Sequence, residues 1–240
     1  LPRAPFSFNG LSNDECIDKF RFDKTQLATL VKLFDLGAIR TRERTAATGV
    51  EGLCIVLYKL AVPMRWSDLE SFFGRNSCGL SNLFLHVLEL LDSKFSDLLY
   101  FNHDYAAENL QAYADAVFDA GGLLQIVWAF VDGTVRGICR PTARNVRRDG
   151  KYLSQKSVYN GHKRKHALKY QTFSTPDGLI THLYGHFPGR NHDIKMYKDS
   201  GIADVIRNDL RFKSFRVSGD QAYGKDGVLS SPFGGGLLRI

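Results

Sequence analysis

The stretch from Ile126 to Cys139, IVWAFVDGTVRGIC, constrains this chain more than any other. An apolar run rich in β-branched and aromatic residues, Ile126 to Val131, ends on a lone carboxylate, Asp132. A run that short, bounded by turn residues, reads as a strand buried on both faces. Asp132-Gly133-Thr134 carries a turn signal, and Val135 to Cys139 reads as a returning strand, so a hairpin is expected. An acid at the end of a buried strand is costly unless something pairs with it. Asp132 therefore has two readings: its side chain serves the turn, or it does chemistry. A second stretch repeats the pattern, since FRVSGD ends on Asp220. If the two strands are neighbours in one sheet, their carboxylates stand side by side. At about 4 Å such a pair repels by roughly 4 kcal/mol at an effective dielectric of about 20. It must take up a proton or hold a cation.

The surroundings favour the cation. Between Arg136 and Lys169 lie eleven Lys/Arg against one acid, Asp149, a window of +10. The whole chain is +7, so everything outside that window sums to −3. Phosphates are the natural partner of so local an excess. Two acids beside it fit a divalent metal facing phosphate oxygens, and carboxylate and water ligands suit Mg2+ or Mn2+. The bland alternative for Lys163-Arg164-Lys165 is a solvated loop or a nuclear-import signal. The histidine pairs His162/His166 and His182/His186 have a spacing that shares one strand face. No Cys or acid completes a zinc-like set with them.

A chain of 240 residues can build one large domain or two modest ones. Its 44% apolar and 24% charged residues set it among ordinary globular proteins, and no apolar run approaches the roughly 18 residues of a membrane span. Cys16, Cys54, Cys78 and Cys139 are scattered without a CxxC pair. That argues against a structural zinc site and a disulfide scaffold, and for a reducing compartment. The N-terminus, LPRAPFSFNG, lacks the features of a secretory signal. Starting without Met, it is expected to be internal to a longer product.

Residues 1–120 read as a helical region. Asp23 caps a helix from Lys24 to Leu36, and residues 38–48 are a polar, basic loop or short helix. Val50 to Ala61 is an apolar helix stopped by Pro63. Ser67 and Glu70 form a capping box for a helix ending at Gly74, and Ser81 caps a longer one through Leu91. Over about residues 50–95 this is a helix-turn-helix outline. Asn76, Ser77, Ser81, Asn82 and His86 are its candidate base readers and Arg75 its nearby cation; the alternative is a trihelical core that touches no nucleic acid. Ala106 to Ala120 forms another helix. Residues 121–240 then follow the basic link Arg140 to Arg164 with strands His166–Thr175 and Leu179–Phe187, joined by the turn Pro176-Asp177-Gly178. A helix from Asp193 to Ile206 and a strand from Phe212 to Ser218 complete the order. The fold class expected is α/β, a mixed sheet with flanking helices.

VDGTVRGICRP, GHKRKHALKYQ, LYGHFPGRNHD and GDQAYG together resemble the PIF/Harbinger transposases and the nucleases derived from them. These are DDE-type endonucleases with an RNase H-like fold, and the resemblance runs over about residues 123–233. The helix-turn-helix outline is similar to the segment that precedes the nuclease in that group. The resemblance implies an RNase H-like nuclease core over residues 121–240. It also implies cutting and joining of DNA, at transposon ends or a target site, by two-metal hydrolysis without a covalent protein intermediate. Carried over position by position, Asp132 is the first acid and Asp220, in Gly-Asp-x-x-Tyr, the second; both are catalytic and hold metal. Asp193, in PGRNHD, matches another acid typical of the group, which either touches metal or serves its helix through the dipole. Arg136, Arg140, Lys163, Arg164, Lys165, Lys169, Arg190 and His192 are the expected DNA contacts. Work in the nucleus, a Myb-like DNA-binding helper protein and room for a homo-oligomer follow from the same resemblance. The group's third essential acid, a Glu on a later helix, has no counterpart in the 20 residues after Asp220. The tail GGGLLRI matches nothing in that helix, so a fragment or a decayed copy is expected, one that binds DNA without cutting it. The rival reading is a non-catalytic DNA-binding protein.

Overall fold

The computed structural model describes residues 4–141, 155–224 and 226–231. Arg144, Arg147, Arg148, Asp149 and Lys151 of the basic window, and the tail GGGLLRI, lie outside the described residues. The chain divides into two compact units, residues 1–96 and 97–240.

Local signals start the helices of the first unit. α1 (Asn13–Phe20) and α2 (Lys24–Leu33) open on reciprocal capping boxes, Ser12 with Glu15 and Asp23 with Gln26, each satisfying two orphan donors. A short hairpin, β1 (Ile39–Arg40) with β2 (Ala46–Ala47), stands where the pattern suggests a loop or short helix. α3 (Gly49–Ala61), capped by Thr48, is followed by α4 (Trp66–Phe73) and α5 (Ser77–Tyr100). Two caps differ from expectation. Ser67 lies inside α4, whose start is closed by Asp68 accepting from the Arg65 N–H at 3.0 Å. Glu70 instead accepts from the Ser77 N–H and hydroxyl at 2.7 and 2.6 Å. The unpaired N–H groups at the next helix's start attract that carboxylate, so α5 begins at Ser77 rather than after Ser81. Phe20, Leu53, Ile55, Leu69, Phe73 and Leu80 form the centre of this unit's core, each aliphatic or Phe side chain contributing roughly 1.5–3 kcal/mol by its burial.

In the second unit α6 (His103–Asp119) packs on β3 (Val127–Gly137), rather than closing the helical region before it. α7 (Gln155–Val158) and β4 (Tyr159–Asn160) lead into β5 (Lys165–Ser174) and β6 (Ile180–Pro188). α8 (Asp193–Ser200) and α9 (Ile202–Asn208) replace the single helix expected there, broken at Gly201. β7 (Arg216–Ser218) and β8 (Leu229–Ser230) finish the sheet, and the first part of the expected Phe212 strand is a 3₁₀ turn instead. The sheet order is β6-β5-β3-β7-β8, antiparallel from β6 to β3 and parallel from β3 to β8, with β4 beside the start of β5. This is an RNase H-like sheet with flanking helices. Trp128 fills its core edge-on to Phe173 and Phe212, with ring centroids 6.4 and 5.5 Å away. Among the described residues, no helix is long and apolar enough to cross a membrane.

The expected hairpin at Asp132 does not form. β3 runs unbroken through Asp132, Gly133 and Thr134, which pair with Thr172, Gln171 and Tyr170 of β5. A ladder of eight registered pairs with β5 outweighs a local turn preference. Burial on both faces also holds only in part, because Phe130 is exposed while Val127, Trp128, Ala129 and Val131 are buried.

Candidate active site

β3 and β7 run parallel, and their last registered pair is Phe130 with Ser218. Asp132 and Asp220 each follow two residues later, so the sheet brings the acids of the repeated strand-then-acid pattern to one place. Gly219 permits the approach, because a Cβ there would lie 2.8 Å from Val131 Cγ1. Beyond it Asp220 accepts from the Ala222 N–H at 2.9 Å and opens the 3₁₀ turn Gln221–Tyr223.

The third acid arrives from α8. Asp193 is its first residue, and its carboxylate occupies the space that a Cβ on Gly133 would need. From β5 the Lys169 ammonium donates to Asp193 Oδ1 at 2.5 Å and to the Asn191 carbonyl at 3.1 Å. Lys169 is only 4% exposed. Its charge is therefore matched inside the protein, as a buried ammonium must be. Tyr223 is buried as well, and its hydroxyl has no hydrogen-bond partner among the described residues. Burial first, then the charges of Asp193, Asp132 and Asp220, push its pKa up and keep the phenol protonated.

The three acids line one cleft of about 780 Å³ with Lys163, Lys165, Lys169, Arg190 and His192. Asn160 shapes its rim, donating to the Gly189 carbonyl at 2.9 Å and accepting from the Lys163 N–H at 2.8 Å. Three of the expected DNA contacts do not line this cleft. Arg136 and Arg164 are exposed elsewhere, and Arg140 donates twice to Gln155 Oε1, at 3.0 and 2.9 Å.

Residues 131–235 match the DDE superfamily endonuclease family. The match begins one residue before Asp132 and takes in all three acids, Lys169 and Tyr223. No curated protein and no solved structure matches the chain. A DDE endonuclease is a nuclease of DNA, and the superfamily in general works with divalent metal.

The acids of the matched region fit such an ion unequally. Among the described residues, no three His, Cys, Asp or Glu side chains converge closely enough to hold a metal ion. Asp193 is engaged by Lys169, whereas no described cation pairs with Asp132 or Asp220. Two carboxylates beside an unpartnered hydroxyl suit a hard cation, since magnesium takes one or two carboxylates and completes its shell with water and phosphate oxygens. The histidines offer no softer site. His182 is sealed in the core with Nδ1 on the Tyr100 carbonyl, its pKa pushed down to about 4 chiefly by burial, while His186 is exposed.

Three participants escape sequence reasoning: Lys169 as the partner of Asp193, Tyr223 beneath the acids, and Gly133 as the space for Asp193. Strand alternation carries a signal for the first, because Ala167, Lys169, Gln171 and Phe173 share one buried face of β5.

Proposed function

We propose that this protein is a metal-dependent DNA endonuclease of the PIF/Harbinger transposase type, cutting and joining DNA at an element's ends or its target. The observation that carries the reading is the placement of Asp132 and Asp220, two residues past a registered pair of parallel strands, in a cleft edged by Lys163, Lys165 and Arg190. Asp132 and Asp220 are the residues that would hold Mg2+ or Mn2+, which when bound activates water and stabilises the leaving 3′ oxygen. Lys169 fixes the Asp193 carboxylate against β3, and with it the start of α8 next to Arg190 and His192. The basic rim grips phosphates on either side of the bond to be cut, which orients the strand without reading sequence. The Tyr223 hydroxyl, protonated and without a partner among the described residues, can donate to a carboxylate or to a water that the acids hold. The same reading assigns the work to the nucleus, with Lys163-Arg164-Lys165 doubling as an import signal. A Myb-like helper protein and a homo-oligomer accompany it.

A second reading, a DNA-binding protein without catalysis, draws on the Lys169–Asp193 pair, which leaves Asp132 and Asp220, among the described acids of the cleft, for a cation. Supercoiled DNA carrying the element's ends separates the two. In Mg2+ or Mn2+ the protein should nick it, and Asp132→Asn or Asp220→Asn should slow nicking by about 100-fold or more, as loss of charge stabilisation at a reacting oxygen does. DNA retention without metal-dependent nicking supports the second reading. Nicking that survives both substitutions excludes this site.

A further inference from the structure

We infer that the hairpin of β1 and β2 in the first unit is a second DNA-contact surface, one that grips duplex phosphates through Arg40, Arg42 and Arg44. It lies just before the helix-turn-helix outline and is no part of the acid cleft, so it stands whether or not the cleft is catalytic.

The hairpin is closed by hydrogen bonds along its length. Ile39 pairs with Ala47 and Arg40 with Ala46, and Ile39 is buried in the unit's core. At the tip the Thr41 N–H donates to the Thr45 carbonyl and the Arg44 N–H to the Thr41 carbonyl, each at 2.9 Å. The Thr45 N–H closes the turn on the Thr41 hydroxyl at 3.2 Å. This is a three-residue loop whose last position is left-handed, where glycine or asparagine is the usual choice. Here it holds Arg44, at φ 64°. A side chain that disfavours its own backbone conformation is a reason to look for function at that position.

The arginines are available. All three are exposed, and none has a carboxylate partner among the described residues. The hairpin also lies against the start of α5, the last helix of the outline. Arg75 Nη2 donates to the Ala46 carbonyl at 2.8 Å, and Thr45 Cγ2 is 3.7 Å from the position of a Cβ on Gly79. The start of α5 brings little positive charge of its own. Arg75 is spent on Glu51 through two hydrogen bonds, at 2.5 and 2.9 Å, and Glu70 caps Ser77. A duplex approached by α5 thus meets its phosphate-binding charge on the hairpin. Guanidinium groups suit phosphate through their forked donors, and a narrow two-stranded ribbon can follow the backbone or enter the minor groove.

The test is fluorescence anisotropy of the full chain with a duplex DNA in EDTA, over a range of salt. Replacing Arg40, Arg42 and Arg44 by Gln should weaken binding roughly tenfold or more and lower the slope of log K against log salt by up to about 3, near 0.9 for each phosphate no longer neutralised. Arg44→Gly adds a readout that a merely structural role would not give: it relieves the left-handed position, so the protein should melt higher while binding DNA less tightly. Unchanged affinity and slope in the triple variant would overturn the proposal, as would an Arg44→Gly protein that melts higher and binds as before.

Discussion

Gly133 has no side chain because the Asp193 carboxylate fills the space beside it. Gly133→Ala is therefore expected to push that carboxylate off Lys169 Nζ, and overpacking of this kind typically costs about 1–3 kcal/mol. Asp193→Ala alone leaves a buried ammonium without its partner, a loss of roughly 3–5 kcal/mol for a fully buried pair and less here, since Asp193 is partly exposed. In the double variant the close approach of the carboxylate is gone and the added methyl keeps the Tyr223 hydroxyl at 3.5 Å, an ordinary contact, so the two costs should not add. Urea unfolding of the four proteins measures that coupling, and additivity within about 0.5 kcal/mol would remove Asp193 as the reason for this glycine. The sequence makes Asp132, Asp193 and Asp220 legible one by one, through the strand-then-acid pattern and the motif resemblance. It misassigns Gly133 to a turn, because an Asp-Gly pair carries the same local signal whether glycine is needed for a bend or for a neighbour's close approach. Tyr223 is legible only as a letter of its motif; that its hydroxyl ends buried among acids depends on how β7 and α8 meet.

At the scale of elements, the long periodic segments are readable and the short ones are not. β5 and β6 fall within one residue of the strands expected, joined at the turn where Asp177 accepts from the Thr175 hydroxyl at 2.6 Å. β7 shrinks to three residues and the Asp193 helix splits in two, because ends and breaks are decided by packing rather than by the local pattern. The pairing of β5 with β6 also creates a buried network that residue types alone do not announce. His182 lies opposite Phe173, with Nδ1 donating to the Tyr100 carbonyl, so its Nε2 accepts from Gln171 Nε2 at 3.0 Å. That arrangement needs a neutral ring, and burial pushes the His182 pKa down to about 4 from 6.5. Between those values the unfolded chain binds the proton and the folded one does not, so stability rises with pH across the window. The contribution is complete above pH 6.5 and is lost as pH falls toward 4. Its size is on the order of 3 kcal/mol. Chemical denaturation at pH 7 and pH 5 should show the loss, and His182→Asn, which retains a donor but not the titration, should flatten it. A variant as steep as the native protein would mean that other groups drive the acid transition.

For the whole molecule, charge counting picks out a candidate nucleic-acid face but not the residues that would form it. The window from Arg136 to Lys169 holds eleven cations, yet they are not equivalent once folded. Lys169 is matched by Asp193, and Arg140 is occupied by Gln155. Lys163 and Lys165 edge the acid cleft and are joined there by Arg190, which lies outside the window and comes from the loop before α8. The electrostatic grip of the cleft is thus expected to rest on Lys163, Lys165 and Arg190. Replacing all three by Ala should lower the salt slope of DNA binding by roughly 3, about 0.9 for each phosphate released, and should reduce affinity more at about 50 mM salt than at about 200 mM. Arg140→Ala should change the slope by less than about 1, and Lys169→Met should act on thermal stability more than on the slope. Anisotropy titrations in EDTA with a single duplex read all of these together. If Arg140→Ala matched the triple variant, or Lys169→Met alone removed most of the slope, the phosphates would follow a path other than the acid cleft.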